Sequence, residues 1–244
     1  IRKASWNFET YNFKTNFDLK DVKIHDYGDL EVRNNSPSDM INKVKNFNKK
    51  ILEKEKIPIA IGGEHSVTSG IIQAYPKDTA VLSFDAHMDF REEYENERYN
   101  HACVIKRITD HIDINNIAVI GVRSADKEEY IDAKKQNLFY IDSFEIKKNK
   151  IKKTIEKTKS VLKNKKIYLT IDIDVIDPAY APGTSSPEPF GITPFDLIEI
   201  IDAFKNQVIG FDLVEVCPTY DNGETALLAA KLIRNIIEKI SVRC

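Results

Sequence analysis

Three residues with metal-binding side chains alternate at the end of an apolar run. The segment "AVLSFDAHMDF" (80–90) places Asp85, His87 and Asp89 at every second position. Alternate side chains of a strand point to the same face, so these three could converge on an ion if the strand ended just after Asp85. Carboxylates and imidazoles are ligands for divalent transition metals. The segment therefore predicts a metal site at a strand end.

Two further apolar runs end in residues of the same kind. "TIDIDVID" (170–177) alternates Asp172 and Asp174, and "IPIAIGG" (57–63) leads directly into Glu64 and His65. Any one of these motifs alone would more often cap a helix or a turn. Buried carboxylates that converge repel one another unless cations lie among them. Three such strand ends in one chain therefore favour a metal site.

The ligand types narrow the choice of metal. Four carboxylates and two imidazoles, with no thiolate, suit Mn²⁺ and, to a lesser degree, Zn²⁺, Fe²⁺ or Co²⁺. Six ligands are too many for one catalytic ion that keeps an open position, so we expect two ions. A pair of ions about 3.5–4 Å apart can share carboxylates and activate a bridging water at neutral pH.

Short apolar strands and amphipathic helices must position these residues. The strands are predicted at 57–63, 80–86, 117–123, 138–142, 167–175 and 208–216, and helices at 145–163 and 223–241. The strands are almost continuously apolar, which is typical of strands covered on both faces. Alternation of strand and helix predicts one doubly wound α/β domain over residues 1–244, with its ligand crevice at the carboxyl ends of parallel strands. Loops are predicted at 89–100 and 177–194.

The composition excludes several classes of protein. The 244 residues are 42% hydrophobic and 30% charged with a net charge of −2, which does not favour binding to nucleic acid or to a membrane. No apolar run approaches the ~18 residues that span a bilayer. Cys103, Cys217 and Cys244 form no CxxC pair, which favours a reducing, cytoplasmic location. Because the sequence begins at Ile1 rather than at a methionine, we expect its amino terminus to be incomplete.

These motifs together resemble the ureohydrolases, the family of arginase and agmatinase, and most closely agmatinase. The segments that carry the resemblance are "GGEHS" (62–66), "SFDAHMD" (83–89), "HA" (101–102), "TIDIDVIDPAYAPGT" (170–184) and "DLVEVCPTYD" (212–221). The resemblance implies a three-layer α/β/α fold with an eight-stranded, mostly parallel sheet, two Mn²⁺ ions per subunit and a homo-oligomer, either a trimer or a hexamer. An incomplete amino terminus would explain part of the difference between six predicted strands and eight.

The resemblance also implies roles for individual residues. The positions that match the family's metal ligands are His65, Asp85, His87, Asp89, Asp172 and Asp174. It implies that His101 is a proton shuttle at the mouth of the site, that Glu215 contacts a guanidinium group, and that Asp89 bridges the ions and orients the nucleophile. A hydroxide between the ions would attack the guanidinium carbon, giving urea and an amine. The family's usual "GTGTP" is "GTSSP" here, and Ser186 keeps a hydroxyl that can bind substrate.

The loop after the first motif bears on the substrate. The segment "FREEYENERYNHA" (90–102) is similar to the agmatinase version. Glu92, Glu93, Glu95 and Glu97 would disfavour a substrate carboxylate and tolerate a second cationic end. We therefore expect hydrolysis of agmatine to putrescine and urea, with arginine, guanidinobutyrate and aminopropylagmatine as alternative substrates.

Other functions are less consistent with the motifs. Related folds include formimino hydrolases and single-zinc deacetylases, but the latter lack the full set of six ligands. Calcineurin-type phosphoesterases need "GDxxD" and "GNH" segments, which the sequence lacks. A non-catalytic metal-binding relative stays open as an alternative, although loss of ligands would be expected in it. His25 and His111 match no motif and are predicted to be structural.

Overall fold

A parallel sheet of six strands forms the centre of the molecule. The computed structural model describes residues 1–32 and 36–242, so that Cys244 lies outside the described residues. The strands are β3 (Ile59–Ile61), β4 (Ala80–Phe84), β5 (Ile117–Val122), β6 (Phe139–Asp142), β7 (Ile167–Asp172) and β8 (Val208–Val214). Their order in the sheet is β3–β8–β7–β4–β5–β6, and every neighbouring pair is parallel. All six strands predicted from the sequence are confirmed.

Two short strands form a separate antiparallel hairpin near the amino terminus, β1 (Tyr11–Asn12) and β2 (Phe17–Asp18). Neither strand was predicted from the sequence. They pair with each other and not with the edge of the parallel sheet. The described residues therefore form a main sheet of six strands rather than the eight that the family resemblance implies.

Helices connect the strands and cover both faces of the sheet. They are α1 (Arg2–Ser5), α2 (Pro37–Leu52), α3 (Val67–Ile72), α4 (Val104–Thr109), α5 (Lys127–Lys135), α6 (Ser143–Leu162), α7 (Pro194–Asp202) and α8 (Glu224–Ser241). The predicted helices at 145–163 and 223–241 correspond to α6 and α8. In the described part of the chain, no helix is long and apolar enough to cross a membrane.

The period-two geometry of the strands divides the core into two layers. In β4, Leu82 and Phe84 pack with residues of α6, α7 and α8, whereas Val81 packs on the other face with residues of α2, α3 and α4. Every residue of β4 is buried, which explains why the strand is apolar throughout rather than alternating. The result is a three-layer α/β/α fold.

The sheet order brings chemically similar strand ends together. The strands β3, β8, β7 and β4 are consecutive neighbours, so their carboxyl ends form one continuous edge. Asp85 follows β4 directly, Asp172 is the last residue of β7, and Glu215 follows β8. The other two strands, β5 and β6, contribute none of the predicted ligands. The site therefore lies above four of the six strands.

Candidate metal centre and adjoining pocket

The predicted ligands meet at this edge of the sheet in two overlapping groups. The first group is His65, Asp85 and Asp89, and the second is Asp85, His87 and Asp174; within each group the ligand atoms lie within 4.8 Å of one another. His65 Nδ1 lies 3.1 Å from Asp85 Oδ2 and 3.4 Å from Asp89 Oδ2. His87 Nδ1 lies 2.9 Å from Asp174 Oδ2. The two groups could hold two metal ions.

Asp85 belongs to both groups. Its Oδ2 faces His65, and its Oδ1 lies 3.7 Å from His87 Nδ1. Asp89 belongs to the His65 group alone, because the chain leaves the strand and turns through a left-handed backbone at Asp89 (φ 50°). The shared position is therefore occupied by Asp85, and the expectation that Asp89 bridges the two groups is corrected.

Asp172, the sixth predicted ligand, lies beside the first group. Its Oδ2 is 3.4 Å from His65 Nδ1, and its Oδ1 accepts a hydrogen bond from the backbone N–H of Asp174 (2.9 Å). Asp174 in turn accepts a hydrogen bond from the backbone N–H of Ala86 (3.0 Å). These two bonds tie the end of β7 to the segment that follows β4.

The hydrogen bonds around His65 are consistent with a cation at the centre. The Thr170 hydroxyl donates to Asp212 Oδ1 (2.6 Å), so its oxygen is left to accept from His65 Nε2, 3.0 Å away. Nδ1 then carries a lone pair that points toward carboxylates. Both His65 Nδ1 and Asp85 Oδ2 are buried without a hydrogen-bond partner in the described structure. A lone pair facing carboxylate oxygens is repulsive unless a cation lies among them, so the residues fit a metal.

The carboxylates also concentrate negative potential at the centre. Burial opposes protonation of His87, but its contacts with Asp174 and Asp85 raise its pKa to about 12. Burial and the charge of Asp85 raise the pKa of Asp89 to about 7. Positive charge is thus strongly favoured at this position, and a divalent cation would supply it.

Asp212 forms an outer layer of the site that sequence reasoning missed. This fully buried carboxylate accepts hydrogen bonds from the hydroxyls of Thr170 (2.6 Å), Tyr168 (2.6 Å) and Thr68 (2.9 Å). Through Thr170 it fixes the orientation of His65. The available signal was a charged residue inside the apolar strand "VIGFDLV".

A pocket of about 300 Å³ opens onto the centre. The predicted ligands His87, Asp89, Asp172 and Asp174 are part of its wall. The remaining lining residues are Arg91, Tyr94, His101, Ala102, Ser124, Ala125, Glu129, Ser185, Ser186, Glu188 and Glu215. A small molecule in this pocket can reach the carboxylate and histidine cluster directly.

Glu215 connects the pocket to the metal centre. Its Oε1 accepts a hydrogen bond from the backbone N–H of His65 (2.7 Å), and its own N–H donates to the carbonyl of Gly63 (2.9 Å). The backbone at Glu215 is left-handed (φ 62°), a conformation that is costly for this residue type and often found at functional sites. Burial raises the pKa of Glu215, so a cation in the pocket would stabilise its ionised form. Of the two serines, Ser185 donates to Glu215 Oε2 (3.3 Å), and the predicted Ser186 lines the pocket.

His101 lies at the mouth of the pocket with 47% of its side chain exposed. Its backbone N–H donates to Glu64 Oε1 (2.6 Å), and its Nδ1 lies 3.1 Å from the same oxygen. This hydrogen bond to Glu64 raises the pKa of His101. The other two histidines do not line the pocket: His111 bonds the carbonyl of Tyr75 (2.8 Å), and His25 is exposed.

The four loop glutamates do not line the pocket, so their side chains are not placed to select the substrate by direct contact. Arginines bind Glu92, whose Oε1 accepts from Arg98 (2.7 Å) and Arg107 (2.9 Å). Glu97 accepts from the backbone N–H of Tyr99 (2.8 Å). The other two, Glu93 and Glu95, are exposed. The pocket carboxylates outside the candidate ligands are Glu129, Glu188 and Glu215.

Comparison with known proteins identifies the family. Residues 1–238 match the arginase family model. An agmatinase from Bacillus cereus is 37% identical over 97% of this chain and 82% of its own length, and an N(1)-aminopropylagmatine ureohydrolase from Thermococcus kodakarensis is 33% identical over 96% and 80%. The crystal structure of agmatine ureohydrolase from Thermoplasma volcanium superposes with a TM-score of 0.93 and is 40% identical, covering 98% of this chain and 81% of that one.

Fold and site therefore define a metal-dependent α/β hydrolase. The chain belongs to the arginase family, and it is a ureohydrolase, an enzyme that breaks a carbon–nitrogen bond.

Proposed function

We propose that the protein is an agmatinase that hydrolyses agmatine to putrescine and urea at a centre of two Mn²⁺ ions. The observation that carries the proposal is the pair of histidine–carboxylate groups that share Asp85 beside a pocket containing Glu215. Oxygen and nitrogen ligands without a thiolate favour manganese. The agmatinase relatives at 37% identity favour agmatine over other guanidines.

The side chains that would hold the metals are His65, Asp85, His87, Asp89, Asp172 and Asp174. When bound, the two ions would supply a nucleophilic water at neutral pH and stabilise negative charge as the guanidinium carbon becomes tetrahedral. Asp89 is a wall residue of the pocket as well as a member of the His65 group, so its carboxylate can orient that water.

Glu215 is proposed to bind the guanidinium group of the substrate. One of its oxygens accepts from His65 N–H, which fixes the carboxylate relative to the centre. Among the described residues, the second oxygen has only the long contact with Ser185 (3.3 Å), so it can accept from guanidinium N–H groups. A charge-assisted bond of this kind both binds the cation and aligns its carbon for attack.

His101 is proposed to transfer a proton to the departing amine. Because Glu64 lies against Nδ1, protonated His101 has Nε2–H free for donation at the mouth of the pocket. The raised pKa of His101 favours its protonated form, which a general acid requires. We propose that the metal ligands, Glu215 and His101 all belong to one domain spanning residues 1–244. The family resemblance favours a trimer or a hexamer of this domain.

The experiment that tests this function is urea release by the Mn²⁺-loaded protein with agmatine, arginine, guanidinobutyrate and aminopropylagmatine at equal concentration. We expect the highest kcat/KM with agmatine. A higher kcat/KM with another of these guanidines would support the proposed reaction but show that agmatine is not the preferred substrate. Absence of urea from all four, with two ions bound, would favour a non-catalytic relative.

A further inference from the structure

Glu188 is a pocket carboxylate that has no hydrogen-bonded partner among the described residues. Its nearest charged partner is His87 Nε2, 4.0 Å from Oε1. It remains 37% exposed on the pocket wall. A carboxylate in this state is available to a ligand.

The other two glutamates of the pocket already have hydrogen-bond partners. Glu129 is buried, accepts from the backbone N–H groups of Phe90 (2.7 Å) and Asp126 (3.0 Å), and lies 3.5 Å from Arg91 Nε. Glu215 accepts from His65 N–H and is assigned to the guanidinium. The only pocket cation besides the histidines, among the described residues, is Arg91, and Glu129 balances it.

The charges of the proposed complex can be summed from these assignments. Two divalent ions would balance the four aspartates of the centre, the substrate guanidinium would balance Glu215, and Arg91 balances Glu129. Arg123 lies behind the wall, where it faces Asp174 and Asp177 as well as Glu188. Among the residues that line the pocket, Glu188 is therefore the carboxylate without a cation of its own. A substrate with a second positive charge would neutralise it, whereas a substrate carboxylate would be repelled.

Arg123 holds Glu188 at a fixed position relative to the centre. The Arg123 guanidinium donates to the Glu188 carbonyl from Nη2 (2.7 Å) and Nε (3.0 Å), and from Nη2 to the carbonyl of Asp174 (2.6 Å). One planar cation thus links the wall residue to a candidate metal ligand. A carboxylate held at a fixed position relative to the centre favours substrates whose far end lies at a matching distance from the reacting group.

We propose that Glu188 determines specificity by binding a cationic group at the far end of the guanidine substrate. The inference rests on the proposed function and deepens it: the enzyme takes guanidines that carry a second, terminal ammonium. In agmatine, that group is the primary amine four methylenes from the guanidine. Selection for this substrate then comes from one residue of the 177–193 loop and not from the glutamates of the 90–102 loop.

The test compares agmatine with pentylguanidine, in which a methyl group replaces the terminal ammonium. In Glu188→Gln, we expect the ratio of kcat/KM for agmatine to that for pentylguanidine to fall about fivefold, the size of a partly exposed charge interaction. The kcat/KM for guanidinobutyrate should rise. Glu93→Gln, an exposed glutamate outside the pocket, is the matched control and should leave the ratio at the wild-type value.

An equal loss for both substrates, together with weaker Mn²⁺ binding, would overturn the proposal, because Glu188 would then act through His87. An unchanged ratio would overturn it as well. Failure of the proposed function would be seen separately, as no urea from any guanidine with the wild-type protein. In that event the Kd values of agmatine and pentylguanidine would be measured for the Mn²⁺-loaded protein. Their ratio would then be compared between the wild type and the same two variants.

Discussion

The pocket has a floor and a rim that are built in different ways. The floor consists of the six candidate ligands, His65, Asp85, His87, Asp89, Asp172 and Asp174, which are buried except for His87. Hydrogen bonds of neighbouring parallel strands fix their positions. The rim consists of the 90–102 and 177–193 segments, whose side chains include His101 and Glu188 and are partly exposed.

The difference between the two regions separates chemistry from selection. Moving a floor residue would disturb the sheet itself, so the floor suits a reaction shared by a whole family. Rim residues lie on loops that can change without disturbing the core, so they suit the choice of substrate. Substitutions in the floor should therefore have larger effects on activity than substitutions in the rim.

The largest effect is expected for the shared carboxylate of the floor. Asp85→Asn should lower kcat/KM for urea release by at least about a thousandfold and reduce the bound Mn²⁺ below two per chain, because both ion positions lose a charged ligand. Asp78→Asn changes an exposed aspartate just before the opposite end of β4 and should retain both properties. Two bound ions with full turnover in the Asp85 variant would contradict the assignment of this centre.

The outer layer of the floor should affect metal binding more than chemistry. Asp212→Asn replaces the carboxylate that orders Thr170 and thereby His65, so Mn²⁺ affinity should fall about 10–100-fold. Turnover should return toward the wild-type value at saturating Mn²⁺. Metal titration and turnover at high Mn²⁺ measure the two effects, and a turnover defect that saturating metal leaves in place would refute this role.

Two neighbouring tyrosines beneath the floor differ in whether their hydroxyl groups are hydrogen-bonded. Tyr168 donates to Asp212, whereas the buried hydroxyl of Tyr75 has no hydrogen-bond partner among the described residues. Their rings lie 5.0 Å apart. Tyr168→Phe should lower the free energy of unfolding by about 1–3 kcal/mol, and Tyr75→Phe should leave it within about 0.5 kcal/mol of wild type or raise it. Denaturant unfolding measures both, and equal losses would show that hydroxyl satisfaction does not set the stability.

The smallest effect is expected at the rim, as a shift along the pH axis. Glu64 raises the pKa of His101, so a proton donor at His101 stays active to higher pH than an ordinary histidine would. Glu64→Gln removes that charge, so the alkaline loss of kcat should begin at lower pH than in the wild type. In a His101→Ala background the same substitution should no longer move the profile, and a persisting shift would assign the titration to another group.

The sequence predicted those parts of the site that depend on local pattern. Apolar runs indicate the buried strands, and the aspartates and histidines that follow three of them indicate the side chains at those strand ends, so the strands and the candidate ligands could be predicted without coordinates. The shared role of Asp85 could not, because it depends on the backbone turn at Asp89.

Contacts between distant segments were beyond the reach of these patterns. Asp212 meets Thr68 across 144 residues, and nothing near either one identifies the other as its partner. The rim shows the same limit. The glutamates of the loop at 90–102 were expected at the pocket, but Glu92 pairs with Arg98 outside it, and Glu188 from another segment lines the pocket instead.

The hydrogen bond from His65 N–H to Glu215 has a consequence for folding kinetics. It joins residues 150 positions apart, and the floor draws on segments that follow β3, β4 and β7. An early intermediate with only part of the sheet lacks the full set of ligands, so metal cannot help to nucleate the fold. Interactions that form after the transition state slow unfolding and leave the folding rate almost unchanged. Bound metal should therefore prolong the lifetime of the native chain without making it fold faster.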